Sequence, residues 1–106
     1  VNSSRVIALR RHELLRVMAT LDGGRGWTLM TASVYTAHAV FAYGRVYGHV
    51  IGTMDGWWWG LQTRPGQTPE VQRCDDLRQA CLSARRAARQ LVQSRIVNPG
   101  RPRKRR

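Results

Sequence analysis

The residues able to do chemistry in this chain of 106 residues are few and poorly spaced for catalysis. No two of His12, His38 and His49 have the spacing that lets a helix present a pair of metal ligands. Cys74 and Cys81 are not a Cys-x-x-Cys pair. On one helix they would lie about 10 Å apart along its axis, beyond the reach of a disulfide. They would also share a face, so two buried, inert thiols in a reducing compartment are expected. Asp75 and Asp76 are the one acidic pair. Neighbours on a helix diverge by about 100°, so this pair suits the start of a helical turn, or ion pairs with Arg73 and Arg78. No enzyme, no metal and no cofactor are expected.

The chemistry that remains is cationic. Formal net charge is +12, with 18 basic residues against 6 acids. Residues 1–20 carry +3, residues 21–60 are neutral overall, residues 61–97 carry +4 and residues 98–106 carry +5. Such a surplus points to a polyanionic partner: nucleic acid, an anionic membrane surface or an acidic protein. Lys104 is the only lysine. Arginine is the residue of bidentate phosphate contacts, although a GC-rich coding sequence also enriches Arg, Ala, Gly and Val. From Leu77 to Arg106 there is no Asp or Glu. Arg78, Arg85, Arg86, Arg89 and Arg95, continued by Arg101, Arg103, Lys104, Arg105 and Arg106, therefore make the candidate phosphate-binding set. The alternative for the helical members is a solvated helix face. Trp58 and Tyr47 are the candidates for stacking on a base or meeting a protein partner.

These side chains need elements to hold them. After Ser3-Ser4, apolar Val6, Ile7, Leu14, Val17, Met18 and Leu21 recur at helical spacing until Gly23-Gly24, which predicts an amphipathic helix over 5–21. Residues 27–44 carry no charge. As strand they put Tyr35, Ala37, Ala39, Phe41 and Tyr43 on one face. A buried helix and a membrane span of marginal hydrophobicity are the other readings. Asp55-Gly56 between two β-prone runs predicts a type I′ hairpin. That turn sets Met54 opposite Trp57, Thr53 opposite Trp58, Gly52 opposite Trp59 and Val50 opposite Leu61. Trp57, Trp59 and Leu61 then share the face of Val50 and Gly52, and Trp58 takes the other. A loop around Pro65-Gly66 leads to Thr68-Pro69. These would start a long amphipathic helix running to about Val97, with a break before Asp75-Asp76 as an option.

Two resemblances follow. The hairpin, Gly-Trp-Trp-Trp-Gly-Leu, the proline loop and the helix with Ala80, Ala84, Ala87 and Ala88 resemble small hairpin-plus-helix proteins of GC-rich bacteria and their phages. This covers residues 44–95 and implies a sheet-plus-helix fold without a particular activity. Gly100-Arg101-Pro102, flanked by Arg103 and Lys104, resembles an AT-hook. The resemblance implies an extended segment in the narrow minor groove of A·T tracts. Pro99 stands where the family places a basic residue, and the match is partial.

The expected architecture is α+β: an N-terminal helix, a short antiparallel sheet with the Asp-Gly hairpin, and a long C-terminal helix. Residues 1–97 would form one domain and 98–106 a disordered basic tail. Arg5, Arg10, Arg11, Glu13 and Arg16 interrupt any apolar run of signal-peptide type. A cytoplasmic protein is expected, nucleoid-associated in a bacterium. The favoured function is non-enzymatic, sequence-independent binding of DNA or RNA. The alternatives are a protein-interaction or inhibitor module of phage or plasmid type, acting through the aromatic hairpin or by self-association, and a small membrane-associated protein.

Overall fold

A computed structural model describes residues 3–31 and 33–97. Helix α1 spans Ser3–Ala19, followed by a short 3-10 turn at Asp22–Gly24. Strands β1 (Trp27–Met30), β2 (Ala37–Tyr43), β3 (Val46–Thr53), β4 (Gly56–Gln62) and β5 (Glu70–Cys74) precede helix α2 (Leu77–Val97). The strands form one antiparallel sheet in the order β1-β2-β3-β4-β5. This is the α+β arrangement that the sequence predicts. Within 27–44, Trp27–Met30 and Ala37–Tyr43 are strands, as the strand reading expects, and they pair with Trp27 opposite Phe41. Tyr35 lies before β2 and is exposed, so it does not join the face of Ala37, Ala39, Phe41 and Tyr43.

Both helices cover the same face of the sheet. Leu14, Met18 and Leu21 meet Ala80, Cys81, Ala84 and Ala88 in one cluster with Trp27, Ala37, Ala39, Phe41, Val46, Val50 and Trp57. Period-two alternation sends the intervening strand residues to the other face, which neither described helix covers. Cation–π contact of Arg10 with Trp57, and its bond from Nε to the Thr53 carbonyl at 2.7 Å, tie α1 across the hairpin end of the sheet. Arg11 donates to the carbonyls of Ser33 and Thr36 and holds the β1–β2 connection to α1.

The β3–β4 hairpin forms, but two residues out of the expected register. Thr53 pairs with Gly56, Gly52 with Trp57, Ile51 with Trp58, Val50 with Trp59 and Gly48 with Leu61. The loop is Met54-Asp55, and neither residue has positive φ; the positive φ falls on Gly56, at +147°. A type I′ turn is therefore absent. The Asp55 amide bonds the Thr53 hydroxyl at 3.1 Å, and Arg73 Nη2 bonds the Asp55 carbonyl at 2.7 Å, which stabilises the alternative. A shift of two preserves the faces, so Trp57, Trp59 and Leu61 still point to the helices and Trp58 away. The ring against Gly52 is that of Trp57, not Trp59: a Cβ there would meet Trp57 Cζ3 at 2.6 Å.

The second correction concerns residues 69–76. Thr68-Pro69 starts no helix, because Glu70–Cys74 pair with β4 as an edge strand. Gly60 admits this strand; a Cβ there would lie 2.3 Å from the Glu70 carbonyl oxygen. Helix α2 begins instead after Asp76, whose carboxylate accepts the Gln79 amide at 2.9 Å as an N-cap. Cys74 and Cys81 therefore sit on a strand and a helix, not on one helix face. Both are free thiols. Burial pushes the Cys81 thiol up to about 12, which makes it inert at neutral pH.

Helix α2 lies along a row of glycines. Gly44, Gly48 and Gly52 recur every four residues, so on a strand they share one face. A Cβ on Gly48 would come within 2.8 Å of the Ala84 carbonyl oxygen, and one on Gly44 within 3.3 Å of Val92. From Ala84 to Val92 the helix advances about 12 Å, close to the roughly 13 Å that four strand residues span. Backbone thus meets backbone at Gly48, and nothing there can yield. Gly48→Ala is expected to cost about 1–3 kcal/mol, with roughly 4–8 °C of Tm for each kcal/mol in a domain of this size. Thermal denaturation followed by circular dichroism reads this directly. An unchanged Tm would mean that α2 does not seat on the β3 backbone.

Candidate nucleic-acid interface

The small-residue stripe of α2, Ala80, Cys81, Ala84 and Ala88, is buried, which turns the arginines between them outward or sideways. They do not form a uniform free ridge. Arg78 donates from Nη1 to the Thr20 hydroxyl at 3.0 Å. Arg85 and Arg89 both reach the Asp22 carboxylate, at 3.1 and 3.4 Å. Arg89 also lies over the rings of Phe41 and Tyr43, 5.5 and 5.8 Å from their centroids. These three tie α2 to the end of α1 and the turn after it. Asp22 is largely exposed, so each pair contributes only about 0–1 kcal/mol. It suits the task because its φ of +54° belongs to the tight turn that aims it at α2.

Two guanidiniums around one carboxylate still leave a positive field. Arg85, Arg86 and Arg89, with Gln90 and Gln93, line a shallow concavity of about 260 Å³ on the outer side of α2. Arg86 and Arg95 are exposed. Of the predicted set, the structure brings Arg85, Arg86 and Arg89 together, sets Arg78 apart at the start of α2, and puts Arg95 in its last turns. Arg101, Arg103, Lys104, Arg105 and Arg106, with the Gly100-Arg101-Pro102 element, lie outside the described residues.

Three cations that sequence reasoning passed over join this group. Exposed Arg25, Arg45 and Arg64 lie just before β1, in the β2–β3 turn and just after β4. Antiparallel pairing puts all three at one end of the sheet. Gly44 against Val92 puts the C-terminal half of α2 at the same end. The acids there are Asp22, already clamped, and Glu70 on the edge strand. Asp55, Asp75 and Asp76 stand at the opposite end, beside the β3–β4 turn, where Arg73 pairs with Asp75 at 3.8 Å. The chain order scatters these groups; only the meander sorts them.

The uncovered face was the least legible part. Trp58 is there, half-buried, with Arg73 5.7 Å from its ring centroid and its indole N–H 3.4 Å from the Thr53 hydroxyl. Tyr47 is 40% exposed on the same face. Between their positions runs a hydrogen-bonded chain. Gln62 Nε2 donates to the Arg64 carbonyl at 3.1 Å, which turns its Oε1 towards His49. His49 Nε2–H then donates to that oxygen at 2.7 Å. His49 Nδ1 is left as the acceptor for His38 Nε2–H at 2.8 Å. The tautomers follow from an acceptor-only carbonyl at one end. His49 is buried although it stands on the face without helices. A sequence signal existed, since His38 and His49 both fall at positions opposite in parity to the core residues. Their meeting required the Gly44-Arg45 turn, which lacks the usual Asn-Gly chemistry.

Among the described residues no group of three or more His, Cys, Asp or Glu gathers as a metal site. No described helix is long and apolar enough to cross a membrane. Comparison with protein-family models, with curated proteins and with solved structures finds no match to the chain.

Burial, and next the proximity of His49, lower the pKa of His38 from its ordinary value near 6.5. The unfolded chain therefore binds the proton more readily, and stability falls as pH drops below about 6.5. Above that pH both states are neutral and the term vanishes. Tm is expected to hold from pH 8 to 6.5 and to decline below it. In His38→Gln, which keeps a donor for His49, the decline should be shallower. Equal slopes in the two proteins would show that His38 does not carry the effect.

Proposed function

We propose that this protein is a small, non-catalytic nucleic-acid-binding accessory protein that holds the phosphate backbone through arginine. The observation that supports the reading best is the sorting of charge along the molecule. Arg25, Arg45, Arg64, Arg95 and the concavity of Arg85, Arg86 and Arg89 gather at one end and along one side, where Asp22 and Glu70 are the acids among the described residues, whereas at the other end Asp55, Asp75 and Asp76 are matched by Arg10, Arg73 and Arg78. A field of this kind steers and orients a polyanion. Residues 98–106 continue from α2 at the cationic end and add five positive charges. In this reading they extend the footprint, and Gly100-Arg101-Pro102 reaches the minor groove. Arg85 and Arg89 serve twice, as ties to Asp22 and as walls of the concavity. The side chains of Arg86, Arg95, Arg45 and Arg64 contact phosphates. Contacts of this type carry no base information, so DNA and RNA of any sequence bind.

Fluorescence anisotropy with labelled duplexes across a salt series tests this. Log Kd is expected to change linearly with log salt, and each of Arg86→Gln and Arg95→Gln should lower the slope by about one and weaken all sequences alike. Replacing Arg101, Arg103, Lys104, Arg105 and Arg106 by Gln should remove a larger part of the slope. Absence of binding at physiological salt would sink the proposal.

A further inference from the structure

The face of the sheet that the helices leave bare is chemically unlike the rest of the surface. Met30, Val40, Tyr47, Ile51, Trp58 and Val71 give it an apolar and aromatic character. No carboxylate has the parity of this face on any of the five strands. The His38–His49–Gln62 chain uses its polar atoms on one another, so the centre of the face presents rings and methyl groups without charge. Two shallow concavities open on it. One, of about 370 Å³, lies beside Tyr47 with Met30, Val40 and Gln62 in its lining. The other, of about 330 Å³, lies beside Trp58 with Ile51, Val71 and, from the β3–β4 turn, Asp55 in its lining, and Arg73 holds the Asp55 carbonyl there. Both are of the size that small planar ligands fill.

Cations stand at the border of this neutral field. Tyr47 pairs with Gln62, and Arg45, two residues before Tyr47, and Arg64, two residues after Gln62, stand at that end. At the other end the guanidinium of Arg73 rests over Trp58. A neutral aromatic centre with arginine at its edges complements a strand whose bases are apolar planes and whose backbone is anionic.

The spacing selects between single and double strands. Tyr47 and Trp58 lie on neighbouring strands, displaced by four residues in the ladder, or about 13 Å along it. Stacked bases in a duplex follow at about 3.4 Å and show no free face to a flat sheet. Two rings so far apart suit bases splayed out of a stack. We propose that the uncovered face binds single-stranded nucleic acid, one base stacking on Tyr47 and another on the Trp58–Arg73 tier, with Arg45 and Arg64 on the phosphates. The proposal rests on the nucleic-acid reading above and adds to it a strand type and a second surface.

The test is binding of the full chain to a labelled single-stranded oligonucleotide and to its duplex at one salt concentration. Single strand should bind more tightly. Tyr47→Ala should weaken single-strand binding roughly ten-fold and leave duplex binding unchanged. Val71→Glu, which adds a carboxylate beside Trp58 at an exposed position, should do the same without emptying the core. Trp58→Phe, which keeps a ring, should retain most of the affinity. Equal binding of both forms, untouched by Tyr47→Ala and Val71→Glu, would overturn the stacking proposal while leaving phosphate binding intact. No binding of either form would overturn both. A dimer in sedimentation that Val71→Glu dissociates, with nucleic-acid binding unchanged, would assign the face to a second copy of the chain and overturn the proposal.

Discussion

The contact of Ala84 with Gly48 is the constraint on which the rest of the molecule turns. A helix packed on a sheet normally stands off by the length of the side chains between them. Here Gly44 and Gly48 remove that layer under α2, and Ala80, Ala84 and Ala88 remove it from the helix side. Leu77, Leu91 and Val92 pack beside the small stripe, and the arginines of α2 take its flanks and outer surface. Gly52 gives up its own volume to the Trp57 ring, and Arg10 from α1 closes over that ring. One close approach thus sets where α2 lies, where its cations point and how α1 covers the remaining part of the sheet.

Because both helices crowd onto one face, the other face stands bare. It is kept in order from within: the Arg64 carbonyl fixes Gln62, Gln62 fixes His49, and His49 fixes His38. Burial lowers the pKa of His38 and so keeps that ring neutral at physiological pH. The molecule therefore separates its chemistry. Guanidinium groups outnumber acids on α2 and at one sheet end, the rings of Tyr47 and Trp58 stand on the bare face, and the three carboxylates at the far end are matched by Arg10, Arg73 and Arg78.

Most of the architecture was legible in the sequence. The stripe from Ile7 to Leu21 gave α1, and the hairpin faces followed from strand alternation. The register did not follow, because the local Asp-Gly signal was outweighed by the Thr53 hydroxyl and by Arg73 reaching across from β5. Strand β5 was hidden for a related reason. Val71 and Cys74 fit a helical repeat that α2 continues, and only pairing with β4, permitted by Gly60, makes the segment extended. Of the candidate interface, Arg86 and Arg95 were readable as exposed cations. The clamping of Arg85 and Arg89 on Asp22 was not, since it joins residues more than sixty positions apart. Arg25, Arg45 and Arg64 were invisible as a group, because their proximity is a product of the meander alone.

In the proposed reading, the α2 arginines, Arg25, Arg45 and Arg64 and the bare face together meet nucleic acid. Amide chemical-shift mapping with a short oligonucleotide tests it residue by residue. Shifts are expected along Leu82–Arg95, at Arg25, Arg45 and Arg64, and around Tyr47 and Trp58 on the bare face, with quiet signals at Glu13 and Asp76. Shifts concentrated on α1, or spread evenly over the surface, would contradict it.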